Sequence, residues 1–386
     1  MLLRRLLSSG CLARRELGRT PFHGLGMAAA GTREAEGFDR PAREGLRYPS
    51  FCTASAPCAE DETRVVEDLS PRRSVIQLRG ADRYSFLQGL VTNDVEELER
   101  EPSGSRRCMY SLLLNHKGRF LHDLFVYNVG DGSSLLIDLH KPSLDSVVKV
   151  LTRYKLRSKV DILDVTDRYS VVYSSSLGGA EGLAGSLAFK DPRHDLLGYR
   201  CLVEQPPGSV GGEGPGPSAH AALRYTLGVP EGDREMPTGK AIPLEFNVDA
   251  LNGISYTKGC YMGQELTART HFQGLVRKRL VPVTIKAAGD ALGSISRALS
   301  GEGGEESELE VVDPERNARK GGRKVGALLA AQDGKGLALL RLKGLKGKEF
   351  RLRRKGGSAE DVLEAAVEPA LPEWWPEDWY AKAQEE

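Results

Sequence analysis

Short apolar runs bounded by glycine, proline or charge recur along this chain, and they interleave with only a few stretches of helical spacing. Val75 to Leu78 reads as a strand ending at Gly80. Asp82 then suits the N-cap of a helix through Val91, with Phe86, Leu87, Leu90 and Val91 as its apolar face. Gly89 weakens that helix and predicts a close backbone approach. Leu112 to Leu114 and Phe120 to Tyr127 read as paired strands around a turn at Lys117-Gly118. Leu135 to Leu139 is a further strand, and Pro142 suits the first turn of a helix through Tyr154. Strands are predicted at Asp161 to Val165, Tyr169 to Tyr173 and Tyr199 to Glu204, with a low-complexity loop at Gly178 to Ser186. Pro206 to Pro217 reads as a flexible connection, and Ala219 to Leu227 as a helix ending at Gly228. The helices do not fall in regular βαβ repeats, so the pattern predicts an α+β fold rather than a doubly wound sheet.

Beyond Arg277 the pattern changes. Leu280 to Ile285, Val325 to Ala331, Gly336 to Leu342 and Phe350 to Leu352 read as short strands, with a hairpin turn at Gln332-Asp333-Gly334-Lys335. Gly301 to Ser307 and Arg319 to Arg323 read as loops. A separate small C-terminal β-barrel is the economical interpretation. This divides the chain into residues 1–61, an α+β core at 62–276, a barrel at 277–372 and an aromatic, acidic tail at 373–386. Its 386 residues exceed what one core usually organises.

A net charge of +1 speaks against a nucleic-acid binder, and no run approaches the roughly 18 apolar residues of a membrane span. Six cysteines, at positions 11, 52, 58, 108, 201 and 260, show no disulfide spacing. Cys108 and Cys201 lie in apolar, strand-like contexts that predict packing. The first twenty residues carry Arg4, Arg5, Arg14, Arg15 and Arg19 against Glu16 alone, with leucines between. That is the pattern of a mitochondrial transit peptide. Disorder is expected from Ala28 to Asp61.

One stretch carries candidate chemistry. In Tyr256-Thr257-Lys258-Gly259-Cys260-Tyr261-Met262-Gly263-Gln264-Glu265, a cysteine stands between two glycines, beside a lysine and before a predicted helix. A lysine and a helix N-terminus both favour thiolate, the form a nucleophile or soft-metal ligand needs. Glu265 and Arg269 would face each other on that helix. The glycines would let a partner come close. A small buried cysteine at a tight turn is the plain alternative.

The run Lys-Gly-Cys-Tyr-x-Gly-Gln-Glu resembles the signature of the YgfZ-type family, relatives of the aminomethyltransferase of the glycine cleavage system. Phe86 to Asp94, Asn115-His116-Lys117-Gly118-Arg119 with His122-Asp123, and Ile242 to Asn247 resemble the family's other segments in their order. Pro372-Glu373-Trp374-Trp375-Pro376 resembles the ending of its animal mitochondrial branch, late-acting assembly factors for 4Fe–4S proteins. The resemblance covers Val65 to Pro376 and implies two interwoven antiparallel α+β lobes with a C-terminal barrel. It implies a mitochondrial matrix protein, monomeric alone, that works with A-type iron–sulfur carriers. It marks Lys258, Gly259, Cys260, Tyr261, Gly263, Gln264 and Glu265 as the cluster motif. Iron–sulfur clusters usually take four protein ligands, so Cys260 would be one ligand of a transient cluster shared with a partner. A tetrahydrofolate pocket at Asp123, Arg224, Glu245 and Asn247 is the competing implication, with folate-dependent one-carbon transfer as the activity. Two departures weaken that enzyme reading. His122 and Asp123 stand where relatives carry an acidic pair, and Thr226 where they carry a pterin-reading acid. Threonine lacks a carboxylate's bidentate contact. A redox enzyme using Cys260 is a third reading, though no resolving partner is visible in the sequence.

Overall fold

The computed structural model describes residues 65–100, 107–206, 218–287, 290–300, 308–317, 319, 321–356 and 361–385. The Arg-rich start, Cys11, Cys52 and Cys58, the connection from 207 to 217 and the loop 301–307 lie outside the described residues. The described chain opens with β1 (Val66–Asp68), β2 (Arg73–Arg79), α1 (Arg83–Gln88) and α2 (Glu97–Arg100). A meander follows, β3 (Cys108–Leu114), β4 (Phe120–Asn128) and β5 (Ser134–His140), then α3 (Leu144–Lys155) and β6 (Asp161–Asp164). Next come β7 (Ser170–Ser174), α4 (Leu177–Glu181), β8 (Ser186–Lys190) and β9 (Tyr199–Val203). Three helices complete the lobes, α5 (Ala219–Leu227), α6 (Gly232–Glu235) and α7 (Gln264–Gln273).

These strands form two antiparallel sheets, ordered β3-β4-β5-β2-β6 and β1-β7-β9-β8. β1 pairs with β7 although the whole first sheet lies between them in sequence, and this weaves the lobes together. Successive residues of β4 serve two cores. Leu124 and Val126 pack with α1 and α3, while Phe125 and Tyr127 pack between the sheets. A strand buried on both faces reads as a continuous apolar run, as Phe120 to Tyr127 does.

Two local expectations need correction. The first helix stops at Gln88, and Val91 instead bridges to Leu113. Gly89 does meet another backbone segment, its carbonyl accepting from Met262 N at 3.2 Å, although an added Cβ would stand in open space. The segment read as a loop at 178–186 holds α4, capped by Ser176, whose side chain accepts from Gly179 N.

The C-terminal unit is a closed barrel, β10-β13-β12-β11-β14-β15. Its strands are β10 (Lys278–Ala287), β11 (Leu309–Asp313), β12 (Arg323–Gln332), β13 (Lys335–Arg341), β14 (Phe350–Arg354) and β15 (Val362–Pro369). Two of these, β11 and β15, and the helix α8 (Ala291–Ser300) were not apparent from sequence. Asp333 at φ 51° and Gly334 at φ 76° make the β12–β13 hairpin. Among the described residues no lobe strand joins the barrel, but its outer residues Leu280, Ala330 and Leu337 belong to the core between the lobes. Arg279 Nη1 donates to Leu244 O at 2.8 Å, and Trp374 Nε1 donates to Leu227 O at 2.9 Å. Trp375, just before the final helix α9 (Glu377–Glu385), and Ala383 within it are buried in the barrel's own core.

Candidate functional site

The cysteine motif is a loop held at both ends. Lys258 and Tyr261 point inward, 9% and 7% exposed, and Cys260 between them is exposed. Lys258 Nζ donates to the carbonyls of Gln88, Val91 and Asn93 at 2.7, 2.8 and 2.8 Å. These lie at and just past the end of α1, where carbonyls lack helical partners. An ammonium has three donors, so none remains for a Cys260 thiolate. Lys258 is therefore a clamp rather than the thiolate's counter-ion, a correction to the sequence reading. Burial pushes its pKa down to about 8 against the pull of Asp94 and Glu96, and it stays protonated at pH 7. Lys258→Met is expected to destabilise the protein by about 2–3 kcal/mol, because three carbonyls lose a charged donor. Urea denaturation at pH 7 measures this, and unchanged stability would show that the clamp contributes nothing.

The two glycines have different jobs. Gly259 is exposed, with open space where a Cβ would stand, so the backbone before Cys260 is accessible. Gly263 precedes α7 at φ 79°, and an added Cβ would lie 2.4 Å from Asn115 O and 3.0 Å from Gly118 Cα. Gly118, at φ 73°, would likewise meet Gly263 O at 2.7 Å. The β3–β4 turn thus presses backbone to backbone against the start of α7. Asn115 shapes that turn, its Oδ1 accepting from Lys117 N and Arg119 N at 2.9 and 3.0 Å. The approach that Gly263 permits is by the protein's own chain. Gln264 is half-buried in the first turn of α7, and Glu265 is exposed there, a position that suits an acid. Glu265 and Arg269 are both exposed, where such a pair contributes little.

Cys260 is the exposed thiol among the described cysteines. Burial pushes the Cys108 thiol well up, and that of Cys201 up to about 12. His271 stacks on Tyr256 at 3.7 Å, and Phe272 beside it is 68% exposed. Among the described residues no three His, Cys, Asp or Glu side chains are grouped to hold a metal ion.

The four folate candidates are largely tied into internal contacts. Asp123 is buried, and its Oδ2 accepts from Gly232 N at 3.1 Å. His122 Nε2 meets Ser146 Oγ at 2.9 Å. Arg224 is paired bidentately with Glu235 at 2.6 and 3.0 Å. Asn247, at φ 62°, donates from Nδ2 to Leu280 O at 2.8 Å and so links lobe to barrel. Glu245 sits in the preceding turn, where burial raises its pKa. Thr226 is exposed, its hydroxyl donating back to Ala222 O. Asp123 and Arg224 both meet α6, whereas Asn247 faces the barrel.

Sequence reasoning missed the ionic centre of the lobes. Arg73 and Arg200 share Asp138, Arg193 holds Asp191, and all three approach Glu231 at 3.4, 3.0 and 2.9 Å. Their separation in sequence gave no signal. Beside them His220 is buried, and burial drives its pKa well below 6.5 against the pull of Glu231. A histidine neutral when folded must gain a proton on unfolding. Its contribution is complete above pH 6.5 and is lost as pH falls through the window below. Wild-type stability is expected to fall between pH 6.5 and 5, and the His220→Gln variant is expected to fall less steeply by up to about 1.4 kcal/mol per pH unit. Urea denaturation across that range provides the comparison, and identical slopes would exclude His220.

Interwoven antiparallel lobes with an attached barrel define an aminomethyltransferase-like fold. Its sheets here surround an ionic centre and present a cysteine loop outside. The chain matches the crystal structure of glycine cleavage system aminomethyltransferase T from Bartonella henselae with a TM-score of 0.56 at 14% identity, over 80% of this chain and 86% of that one. This likeness establishes the fold alone. The description "CAF17, C-terminal beta-barrel domain" matches residues 277–377. The mitochondrial iron–sulfur cluster assembly factor IBA57 of Homo sapiens is 33% identical over 331 residues, covering 79% of this chain and 83% of that protein. Its Mus musculus counterpart is 33% identical over 326 residues, covering 79% and 84%. The homolog of Mycosarcoma maydis is 32% identical over 365 residues, covering 85% and 90%. The chain belongs to the IBA57 family.

Proposed function

We infer that this protein is a mitochondrial iron–sulfur cluster assembly factor, and we propose that Cys260 is its ligand to a cluster shared with an A-type carrier. Exposure of Cys260 on a doubly anchored loop is the observation that carries the proposal. One thiolate is a fraction of the usual four-ligand set, so the partner supplies the remainder. Soft thiolate suits iron better than any other exposed group of the motif. The loop's anchors restrict the positions the thiol samples, which lowers the ordering cost of joining a partner's site.

The reading is tested by mixing the purified protein with an A-type carrier, iron and sulfide under reducing, anaerobic conditions. A coloured heterocomplex whose absorbance and size rise together is expected. Separate elution with all cluster on the carrier would refute the shared site. In parallel, tetrahydrofolate-dependent one-carbon transfer is expected to stay at background. Turnover abolished by Asp123→Asn would establish the transferase instead.

A further inference from the structure

The turn that closes α3 holds an apolar side chain outward on a strained backbone. Ser158 N donates to Lys155 O at 2.8 Å, which makes a four-residue turn from Lys155 to Ser158. Leu156 is its first central residue, at φ 45° and ψ −108°. That is the corner of a type II′ turn, where glycine is the usual residue. A side chain held there costs free energy, and such strain persists only where the surroundings fix it. The chain after the turn is pinned. Lys159 N donates to Asp82 Oδ2 at 2.7 Å, and Val160 is buried. Packing does not explain the leucine itself, which is 86% exposed, with Tyr154 before it 40% exposed. The charge around it is one-sided. From Ser146 to Val160 the chain has five cations and no acid. Lys149, Arg153, Arg157 and Lys159 are exposed and form no salt bridge among the described residues, while Lys155 meets Asp161 at 3.5 Å. Cations in the last turn of a helix offset its dipole, which accounts for Arg153 and Lys155. It does not account for Arg157 and Lys159 beyond the helix, nor for an apolar tip among them.

We propose that this turn is a contact point for an anionic lipid bilayer, with Leu156 entering the acyl boundary and the surrounding cations meeting headgroup phosphates. A bilayer of that kind offers charge at its surface and apolar depth beneath, the order in which the turn presents cations around a projecting leucine. An acidic protein would need a pocket shaped to the leucine, and a nucleic acid offers phosphates without an apolar interior. The turn and Cys260 lie on separate segments, so this proposal and the cluster proposal stand or fall separately. Co-flotation of the full chain with vesicles at pH 7 and low salt provides the test. Vesicles of phosphatidylcholine and phosphatidylglycerol in equal parts are compared with phosphatidylcholine alone. Every variant keeps residues 1–61 unchanged, so differences between variants report the turn. Saturable partition onto the anionic vesicles is expected, weakened by added salt. Leu156→Gly is expected to reduce it about tenfold. The same variant should melt at or above the wild-type temperature, because glycine relieves the strain and an exposed leucine leaves no cavity. Arg157→Gln is expected to reduce partition about fivefold. An equal charge change at an exposed barrel site, Lys343→Gln, should alter it less than about twofold. Unchanged partition of Leu156→Gly would show that the apolar tip is not inserted. Equal losses in Arg157→Gln and Lys343→Gln would show that overall charge, not this turn, is read. Equal partition onto neutral vesicles, or binding of polyglutamate without any vesicle partition, would likewise overturn the proposal, the latter in favour of an acidic protein partner.

Discussion

Cys260→Ser is expected to abolish the visible absorbance of the reconstituted heterocomplex while leaving the protein folded. Serine keeps the size of the side chain but replaces a soft thiolate with a poor ligand for iron. Cys260 is exposed, so the exchange opens no cavity and leaves no buried group unpaired. Melting temperature and circular dichroism should therefore match the wild type. Cys108→Ser and Cys201→Ser give the contrast. Cys201 is fully buried on β9 and Cys108 lies against the core between the lobes. Their serine variants should keep cluster loading, with any loss appearing in stability. Absorbance is read together with the size of the eluting species. Full loading with Cys260→Ser would remove this thiol from the mechanism, and loss of loading with Cys201→Ser would mean that another ligand does the work.

Glu231→Gln is expected to cause the largest loss of stability, about 3–5 kcal/mol, because it leaves buried guanidiniums short of charge. Arg193, Arg200 and Arg73 all approach this carboxylate, and the side chains of the three arginines are at most 2% exposed. The loss is comparable to much of a typical domain's margin of about 5–15 kcal/mol. The pH dependence has a definite sign. Burial opposes the charge on Glu231, but Arg200, Arg193 and Arg73 outweigh it and hold the carboxyl well below its ordinary value. Its contribution is therefore present above the unfolded value of about 4.3 and disappears as pH falls through the folded value. The stability gap between wild type and Glu231→Gln should be constant from pH 8 to 5 and narrow in stronger acid. Urea denaturation at several pH values measures it. A gap under about 1 kcal/mol at pH 7 would show that Asp138 and Asp191 suffice for the three arginines.

Local pattern settled much of the architecture. The α5 boundary, with Gly228 at φ 76°, follows from a glycine at a helix C-terminus. The β3–β4 pair follows from two apolar runs around Lys117-Gly118, and the β12–β13 hairpin from Asp333-Gly334. These features depend on neighbours a few residues apart, where turn chemistry dominates. β11 and β15 escaped because their context is charged and glycine-rich and each also pairs with a strand far along the chain, β11 with β14 and β15 with β10. A barrel strand is stabilised by both neighbours, so propensity alone understates it.

In the site, sequence identified the cysteine but misjudged its surroundings. Lys258 stands two residues from Cys260 and looks like its counter-ion. Only the fold shows that the end of α1 lies beneath the loop and takes all three lysine donors. Gly263 looks like room for a partner, yet the β3–β4 turn fills that room. The ionic centre gave no sequence signal, because Arg73, Asp138, Arg193, Arg200 and Glu231 read singly as surface charges. What the sequence by itself determined was many of the elements and the one cysteine set in a motif, since these follow from short-range spacing and steric freedom. The direction each motif side chain takes, inward for Lys258 and Tyr261 and outward for Cys260, was decided by tertiary structure. Burial and hydrogen bonding are properties of what packs alongside, and here those neighbours come from α1 and the β3–β4 turn, far from the motif in sequence.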